Sequence, residues 1–167
     1  MSLRLAQLEL TLRDGGLASA LNYLNCRVSY RFTTVYRLQN QLLKVVETVD
    51  KLNESRPCPG QEKPLNESLC RLAVAQGIFT SSNTAADPHL AGAIYPSEVG
   101  SYSGVRLTLE NGEVFGTLCH HDLVPRSISH MEYHFLELAA KTIARYLQQT
   151  MGPEDPAHGR REQAPPG

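Results

Sequence analysis

The clearest pattern of apolar and polar positions lies near the end of the chain. Apolar residues recur every three or four positions from Met131 to Leu147, a spacing that places them on one face of a helix. Ser129 and Glu132 have the spacing of a capping box at the start of this segment. The pattern predicts a long amphipathic helix that begins after Ser129.

Helical spacing also marks the beginning of the chain. Leu5, Leu8 and Leu12 lie three and four positions apart, and Asp14-Gly15-Gly16 then interrupts the pattern. Apolar residues recur again at helical spacing over about 17–26. Two helices separated by a glycine break are therefore predicted.

Alternating apolar and polar positions predict two antiparallel hairpins. One joins Arg31–Leu38 to Leu42–Val49 through a polar turn. The other joins Val105–Leu109 to Val114–His121 around Asn111-Gly112, a pair suited to the positive φ values of a tight turn. Between the hairpins we expect a loop over 53–64, a short helix over 66–76 closed by Gly77, a strand over 78–82 and irregular chain over 83–100.

This order of elements predicts the α+β class with one antiparallel sheet. The terminal helices would cover one face of the sheet, and the 65–100 region would cover the other. From Gly152 onward the chain is rich in proline and poor in apolar residues, so a disordered tail is expected there.

Length and charge exclude several functional classes. The 167 residues suit a single domain, and the net charge of −1 gives no electrostatic reason to expect a nucleic-acid partner. No apolar run approaches the ~20 residues of a membrane span. Arg4, Glu9 and Arg13 interrupt the N-terminal leucines, so a secretory signal is not predicted.

The cysteines agree with a reducing compartment. Cys26, Cys58, Cys70 and Cys119 include no Cys-x-x-Cys pair, a spacing that argues against a structural zinc site and a dense disulfide framework. We therefore expect a cytoplasmic protein with reduced thiols and with neither a membrane nor a nucleic-acid partner.

The second hairpin resembles that of GAF domains. Gly100-Ser-Tyr-Ser-Gly-Val-Arg-Leu-Thr-Leu is followed by Asn111-Gly-Glu-Val-Phe-Gly-Thr-Leu-Cys-His-His-Asp122. Family members are similar in having a strand that ends in Gly-Val-Pro-Leu, a tight turn, and a strand reading Gly-Thr-Leu-Cys, although Arg106 replaces the common proline here. Ser68-Leu69-Cys70 and Asp87-Pro88 also resemble segments of many bacterial members.

The resemblance covers roughly residues 17–147 and is greatest to the modules attached to diguanylate cyclases and histidine kinases. It implies a GAF-like antiparallel sheet, with terminal helices on one face and a short helix plus loops over the other. It also divides the chain into an N-terminal helical extension (1–16), a GAF-like domain (17–150) and a disordered tail (151–167).

A narrower likeness concerns the phytochromes. Cys119-His120-His121, followed by Pro125-Arg126, is similar to the Cys-His-His segment of phytochrome GAF domains, in which a histidine lies against a bilin. Covalent attachment requires a cysteine elsewhere. None lies between 71 and 118, and Cys26 falls inside the first predicted helical region. We therefore do not expect a covalently bound bilin, and the sequence leaves the cofactor unknown.

Strand alternation suggests a pocket. Phe115, Thr117, Cys119 and His121 share one face of their strand, and Leu118 lies on the other. The mixed set suits the lining of a cavity, whereas the aliphatic set suits packing under the terminal helices. In the alternative interpretation, His121 lies in water at the strand end, where an unperturbed imidazole titrates near pH ~6.5.

Family resemblance alone adds residues from the segments opposite: Phe79, Ser81, Tyr95 and Tyr102. It implies a non-catalytic sensory or regulatory module. A small ligand of unknown identity would bind between the sheet and the 65–100 segment, and the terminal helices would signal to an output domain or protein. A dimerisation module without ligand, and a thiol-based redox enzyme or sensor using Cys119, are the alternatives.

Two further patterns contain residue types that can bind metals or act in catalysis. His130 and His134 lie one helical turn apart, but the acid between them is one position late for a His-Glu-x-x-His site and a third ligand is not evident. Cys119 and His121 point the same way from a strand, which makes a reactive thiolate conceivable. The sequence does not resemble the cysteine-bearing segments of free methionine sulfoxide reductases, so neither a metal nor an enzyme is expected.

A homodimer is also expected. The stripe of Leu5, Leu8 and Leu12 lies outside the GAF-like region, and the last helix is apolar over about half its circumference. GAF domains commonly pair through their terminal helices, which supports this expectation by resemblance.

Overall fold

The computed structural model describes residues 2–54 and 60–151. Within them the chain forms three α-helices and six β-strands, in the order α1 (Leu3–Cys26), β1 (Phe32–Gln39), β2 (Leu42–Asp50), β3 (Glu62–Pro64), α2 (Cys70–Gln76), β4 (Ile78–Ser81), β5 (Ser101–Thr108), β6 (Val114–Asp122) and α3 (His130–Thr150). The predicted order and the α+β class are confirmed. The tail predicted from Gly152 lies outside the described residues.

Two boundaries differ from the sequence prediction. The strand β3 lies within the segment predicted as a loop, where it pairs with the edge of β2. The helix α2 begins at Cys70 rather than Asn66, because Leu65–Glu67 forms a separate 3-10 turn. Gly77 ends α2 with a φ of 89°, as its position after the helix predicts.

The first helix bends at Gly16. This residue has φ 74° and ψ −166°, outside the helical range and accessible mainly to glycine, so the predicted break is confirmed. Leu8 in the first half of α1 and Leu21 in the second half are both fully buried. The bend therefore keeps both halves against the same core.

The strands of the described chain form one antiparallel sheet in the order β3-β2-β1-β6-β5-β4. The central pair, β1 and β6, joins segments from the two ends of the chain. The β1–β2 hairpin turns through Asn40 and Gln41, whose positive φ values of 53° and 63° match the turn preferred in two-residue hairpins. This topology places the middle of β6 at the middle of the molecule.

The sheet separates two cores, as predicted. On one side, the helix-side core packs α1 and α3 on the sheet and includes Leu8, Leu12, Leu21, Leu24, Val35, Leu107, Leu118, Phe135, Leu136, Ile143 and Leu147. On the other side, the loop-side core lies under the 65–100 region and includes Tyr36, Leu43, Val45, Leu65, Leu69, Cys70, Phe79, Leu90, Tyr102 and Cys119.

The expectation that Leu5, Leu8 and Leu12 form a stripe outside the core is wrong. Leu8 and Leu12 are buried in the helix-side core, and Leu5 is half-buried against it. The bend at Gly16 turns this half of α1 back onto the domain, so the chain itself covers the leucines.

A bulge in β6 reverses the alternation at its start. Leu107 pairs with Gly116 and Thr108 pairs with Val114, which leaves Phe115 as the extra residue. Phe115 consequently packs in the helix-side core together with Leu118. The prediction that Phe115 lines the pocket is wrong, whereas the position of Leu118 beneath the terminal helices is confirmed.

The terminal helices are tied to each other at one end. Ser129 caps α3 by accepting a hydrogen bond from the Glu132 backbone N–H at 3.2 Å. The Glu132 carboxylate binds the Arg27 guanidinium at 2.6 and 3.1 Å, and that guanidinium lies 4.7 Å from the centre of the Phe135 ring. The residue that follows α1 thus fixes the first turn of α3.

Among the described helices, none has both the length and the hydropathy needed to span a membrane.

Candidate functional site

The candidate site lies between the loop-side face of the sheet and the segment that runs over it. A cavity of about 20 Å³, which we call the inner cavity, is lined by Tyr36, Lys63, Ser68, Leu69, Cys70, Pro96, Val99, Tyr102, Cys119 and His121. Its volume is that of about one water molecule. In this conformation the site is nearly closed.

A larger space adjoins it. The outer groove has a volume of about 260 Å³ and is lined by Tyr36, Val45, Gln61, Glu62, Lys63, Pro96, Glu98 and Val99. Four residues line both spaces: Tyr36, Lys63, Pro96 and Val99. These four side chains therefore separate the inner cavity from the outer groove.

Pairing of β1 with β6 assembles the floor of the inner cavity. Thr34 lies opposite Cys119, and Tyr36 lies opposite Thr117. Since side chains at directly opposed positions point to the same face of a sheet, both strands present polar groups towards the inner cavity. The floor is thus built from segments more than 80 residues apart in the sequence.

Cys70 receives hydrogen bonds from two hydroxyl side chains of the sheet, one on β5 and one on β6. The Tyr102 hydroxyl donates to Cys70 Sγ at 3.2 Å, and the Thr117 hydroxyl donates at 3.3 Å. Burial raises the pKa of Cys70, but hydrogen bonding from Cys119, the charge of Lys63 and these two hydroxyls outweigh burial and lower the pKa to about 5. The site therefore stabilises a thiolate on Cys70.

Cys119 has the opposite electrostatic character. Its hydrogen bond to Cys70 and its complete burial raise the pKa of Cys119 well above the ordinary range of a thiol. The alternative in which Cys119 is the activated thiol does not fit this arrangement. The hydroxyl groups of Tyr102 and Thr117 both donate to Cys70 Sγ, so the surroundings favour a negative charge on Cys70 rather than on Cys119.

Lys63 supplies positive charge at the boundary between the two spaces. Its Nζ donates to the Tyr36 hydroxyl at 3.1 Å and lies 4.5 Å from the centre of the Tyr36 ring. His121 is half-buried, stacks on Phe32 with ring centres 5.0 Å apart, and lies 3.2 Å from the Thr34 hydroxyl. Burial and the Lys63 charge lower the pKa of His121 to about 3, so the imidazole is neutral at pH 7.

The structure brings together only part of the predicted site. Tyr102, Cys119 and His121 line the inner cavity, and Thr117 contacts its edge through Cys70. The remaining predicted residues lie elsewhere. Phe79 packs behind Tyr102 with ring centres 6.2 Å apart, and Ser81 is buried at the end of β4. The Tyr95 hydroxyl donates to the backbone oxygen of Thr84 at 3.3 Å, and Phe115 faces the helices.

Sequence reasoning missed Tyr36, Lys63 and Cys70. The alternation of Phe32, Thr34 and Tyr36 carried a signal, but it could be used only with the knowledge that β1 lies beside β6. Lys63 lies in a segment without any apolar periodicity. In the sequence, Cys70 is distinguished only as part of Ser68-Leu69-Cys70, which resembles a segment of bacterial GAF domains.

A second buried polar group lies near the end of β6 on the other face. Asn25 Nδ2 donates to Thr33 Oγ1 at 2.9 Å, and the Thr33 hydroxyl shares a hydrogen bond of 2.7 Å with His120 Nδ1. The His120 ring is almost fully buried and stacks on Tyr30 with ring centres 5.6 Å apart. Burial lowers the pKa of His120 to about 3, and the ring is therefore neutral.

The histidines of α3 do not converge with other ligands. His130 and His134 are both exposed, and within residues 2–54 and 60–151 His, Cys, Asp and Glu side chains do not gather in groups of three or more that could hold a metal ion.

Solved structures provide three informative comparisons. With the GAF domain of an Acinetobacter phosphoenolpyruvate-protein phosphotransferase, the chain has 20% identity and a TM-score of 0.73, over 93% of this chain and 100% of that one. With the type II free methionine-R-sulfoxide reductase from Thermoplasma acidophilum, the identity is 19% and the TM-score is 0.65, over 85% of this chain and 96% of that one. With the chromophore-binding domain of a bacteriophytochrome from R. palustris, the identity is 11% and the TM-score is 0.68, over 89% of this chain and 60% of that one.

No protein-family model and no curated protein matches the sequence. Identities of this size establish a shared fold alone. Since proteins with different activities share it, the function has to be argued from the residues of the site.

Proposed function

We propose that this chain, which has the fold of a GAF domain, is a sensory or regulatory module that binds a small ligand between its sheet and the 65–100 segment. The observation that carries the proposal is the pair of adjoining spaces with four shared wall residues. Outward movement of Pro96 and Val99 would merge the inner cavity with the outer groove. The merged space would approach the lower end of the range typical of small-molecule sites.

The lining supports a ligand that carries an anionic group. Lys63 is the cation among the residues that line the two spaces, whereas Glu62 and Glu98 are acidic residues of the outer groove. An anionic group would therefore bind beside Lys63, at the boundary with the inner cavity. Leu69, Pro96 and Val99 provide apolar walls for the remainder of the ligand. We therefore propose small carboxylates or phosphates as the ligand class.

Binding would be transmitted from the end of β6 to the terminal helices. Asp122, the last residue of β6, accepts hydrogen bonds from the Arg31 backbone N–H at 2.9 Å and from the Arg126 side chain at 3.1 Å. The segment after it leads into α3, whose Glu132 holds Arg27. A ligand that binds one arrangement of these groups better than another shifts the population of the helices.

The test uses thermal unfolding and native mass spectrometry. Succinate, acetate and inorganic phosphate are added to the full chain, and at least one is expected to raise its melting temperature. Lys63→Met and His121→Ala should weaken that binding at least tenfold, equivalent to about 1.4 kcal/mol. Lys141→Met, on the exposed face of α3, should bind like the wild type. Stabilisation that is unaffected by Lys63→Met would contradict the proposed site.

The second candidate is an interaction module without a ligand, which is favoured by the one-water volume of the inner cavity. A native mass spectrum of the purified chain without any bound mass, together with no stabilisation by any probe, would support this candidate instead.

The proposal also includes a cytoplasmic homodimer that pairs through α1 and α3 and acts on an output domain or protein. Since Leu8 and Leu12 are buried, the pairing is supported by the exposed side chains of Leu3 and Leu10 on α1 and Met131 on α3. Neither a nucleic acid nor a membrane takes part. Sedimentation at tens of micromolar tests the dimer, and a monomer at that concentration would contradict it.

We further propose that the chain is not a reductase, so incubation with free methionine-R-sulfoxide and dithiothreitol should give no turnover.

A further inference from the structure

Two cysteines from distant parts of the sequence meet in the loop-side core. Cys70 is the first residue of α2, and Cys119 lies in the middle of β6. Both side chains are buried and both line the inner cavity. Thr117, which shares a strand face with Cys119, donates to Cys70 Sγ at 3.3 Å. A disulfide requires side chains that face each other at short range, and both cysteines face this one small cavity.

The two sulfur atoms have unequal surroundings. Tyr102 and Thr117 both direct hydroxyl groups to Cys70 Sγ, at 3.2 and 3.3 Å, and Lys63 adds positive charge to the same cavity. The hydrogen bond to Cys70 and burial raise the pKa of Cys119, which favours its protonated form. Since the thiolate is the nucleophilic form of cysteine, the geometry separates an attacking sulfur from a second sulfur that is protonated.

The inner cavity limits what can reach Cys70. At about 20 Å³ it holds about one water molecule, and the outer groove adjoins it through Lys63 and Tyr36, so a peroxide reaches Cys70 when these boundary side chains move. The titratable groups around Cys70 are Lys63 on β3, Tyr36 on β1, Tyr102 on β5, and Cys119 and His121 on β6. Lys63 is the cation among them.

We propose that Cys70 and Cys119 form a peroxide-responsive thiol pair whose disulfide joins α2 to β6. The Cys70 thiolate attacks one oxygen of a peroxide, the O–O bond breaks, and an S–O bond forms. Sulfur loses two electrons to the peroxide, and the departing hydroxide or alkoxide takes a proton from solvent. The product is a sulfenic acid on Cys70.

The second step closes the disulfide. Cys119 Sγ attacks the sulfur of the sulfenic acid, an S–S bond forms, and the S–O bond breaks. The leaving hydroxide combines with the proton of the Cys119 thiol to give water. The bond would fix α2 against β6 and fill the inner cavity, so it would also control the proposed ligand site. The thiol chemistry itself goes beyond ligand binding and does not require it.

The first experiment uses the unmodified full chain without added ligand. Reduced protein is treated with one equivalent of hydrogen peroxide at pH 7, the remaining thiols are blocked with N-ethylmaleimide, and peptides are mapped by mass spectrometry. The expected product is a Cys70–Cys119 disulfide, with Cys26 and Cys58 still alkylated. A different pair as the main disulfide, or Cys26 oxidised as fast as Cys70, would overturn the proposal.

Variants test the order of the two steps. Cys119→Ser should stop at the sulfenic acid, so that dimedone added together with denaturant, which exposes the buried site, labels Cys70 at least tenfold more than Cys26. Cys26→Ser, an exposed matched control, should give the wild-type yield of disulfide. Lys63→Met should move the pH midpoint of Cys70 oxidation upward. Absence of dimedone on Cys70 in the Cys119→Ser variant would refute the proposed order. Since no ligand is present, a negative result leaves the proposed ligand binding standing.

Discussion

Acidification should destabilise the folded chain through His120. The unfolded imidazole binds a proton below about pH 6.5, whereas the folded one, buried behind Thr33 and Tyr30, does so only near pH 3. Between these values the unfolded state binds the extra proton, so stability is fully present above pH 6.5 and is lost as the pH falls. For one histidine with these pKa values, going from pH 7 to pH 5 removes about 2 kcal/mol.

His120→Asn isolates this contribution. The asparagine amide can still hydrogen-bond to the Thr33 hydroxyl, but the side chain no longer titrates. The loss of stability from pH 7 to pH 5 should therefore be about 2 kcal/mol smaller than in the wild type. The variant should also be less stable at pH 7, because the stacking on Tyr30 is lost. Contributions from the other ionisable groups, including His121, cancel in the comparison.

The measurement is urea unfolding at pH 7 and pH 5, for the wild type, His120→Asn and the control His130→Asn. His130 is the exposed first residue of α3 and should keep the wild-type pH dependence. If wild type and His120→Asn lose the same stability within about 0.5 kcal/mol, a neutral buried His120 does not contribute to the pH dependence, and the reasoning is refuted.

Three further changes test the packing. Leu118 is fully buried under α1 and α3, so Leu118→Ala should lower the free energy of unfolding by about 2–4 kcal/mol in a urea titration. Leu123 is half-exposed, and Leu123→Ala should lower it by less than about 1 kcal/mol in the same titration. Gly116→Ala should largely prevent folding, as measured by circular dichroism, because its Cβ would collide with the backbone oxygen of Tyr36. The control Gly112→Ala meets no neighbour within 4 Å and should cost about 1 kcal/mol for its positive φ. Truncation after Thr150 should leave the melting temperature nearly unchanged, and a large drop would show that the tail docks on the domain.

The periodic parts of the chain were predictable because one short-range rule governs each of them. Apolar spacing located α3 and both halves of α1, and alternation located both hairpins. The capping pattern at Ser129 was confirmed as a backbone hydrogen bond, but Glu132 binds Arg27 rather than returning to the cap. That partner lies 105 residues away, and local rules carry no information about it.

The candidate site was less predictable because it depends on pairing between distant strands. The bulge at Phe115 shifted one residue to the other face, although the positions from Thr117 onward kept the predicted face. Cys70 became chemically distinct only once β5 and β6 brought Tyr102 and Thr117 next to it. Neither the bulge nor the contacts of Cys70 have a periodic signature in the sequence.

The position of β1 beside β6 has a consequence for synthesis on the ribosome. β1 ends at Gln39 and β6 begins at Val114, so roughly 75 residues separate the central partners of the sheet. At 5–20 residues per second, the nascent chain spends about 4 to 15 seconds with β1 made and its central partner not yet translated. An unpaired strand edge is a template for association with other chains. Nascent chains arrested before Val114 should therefore associate, whereas chains that extend through Thr150 can bury that edge.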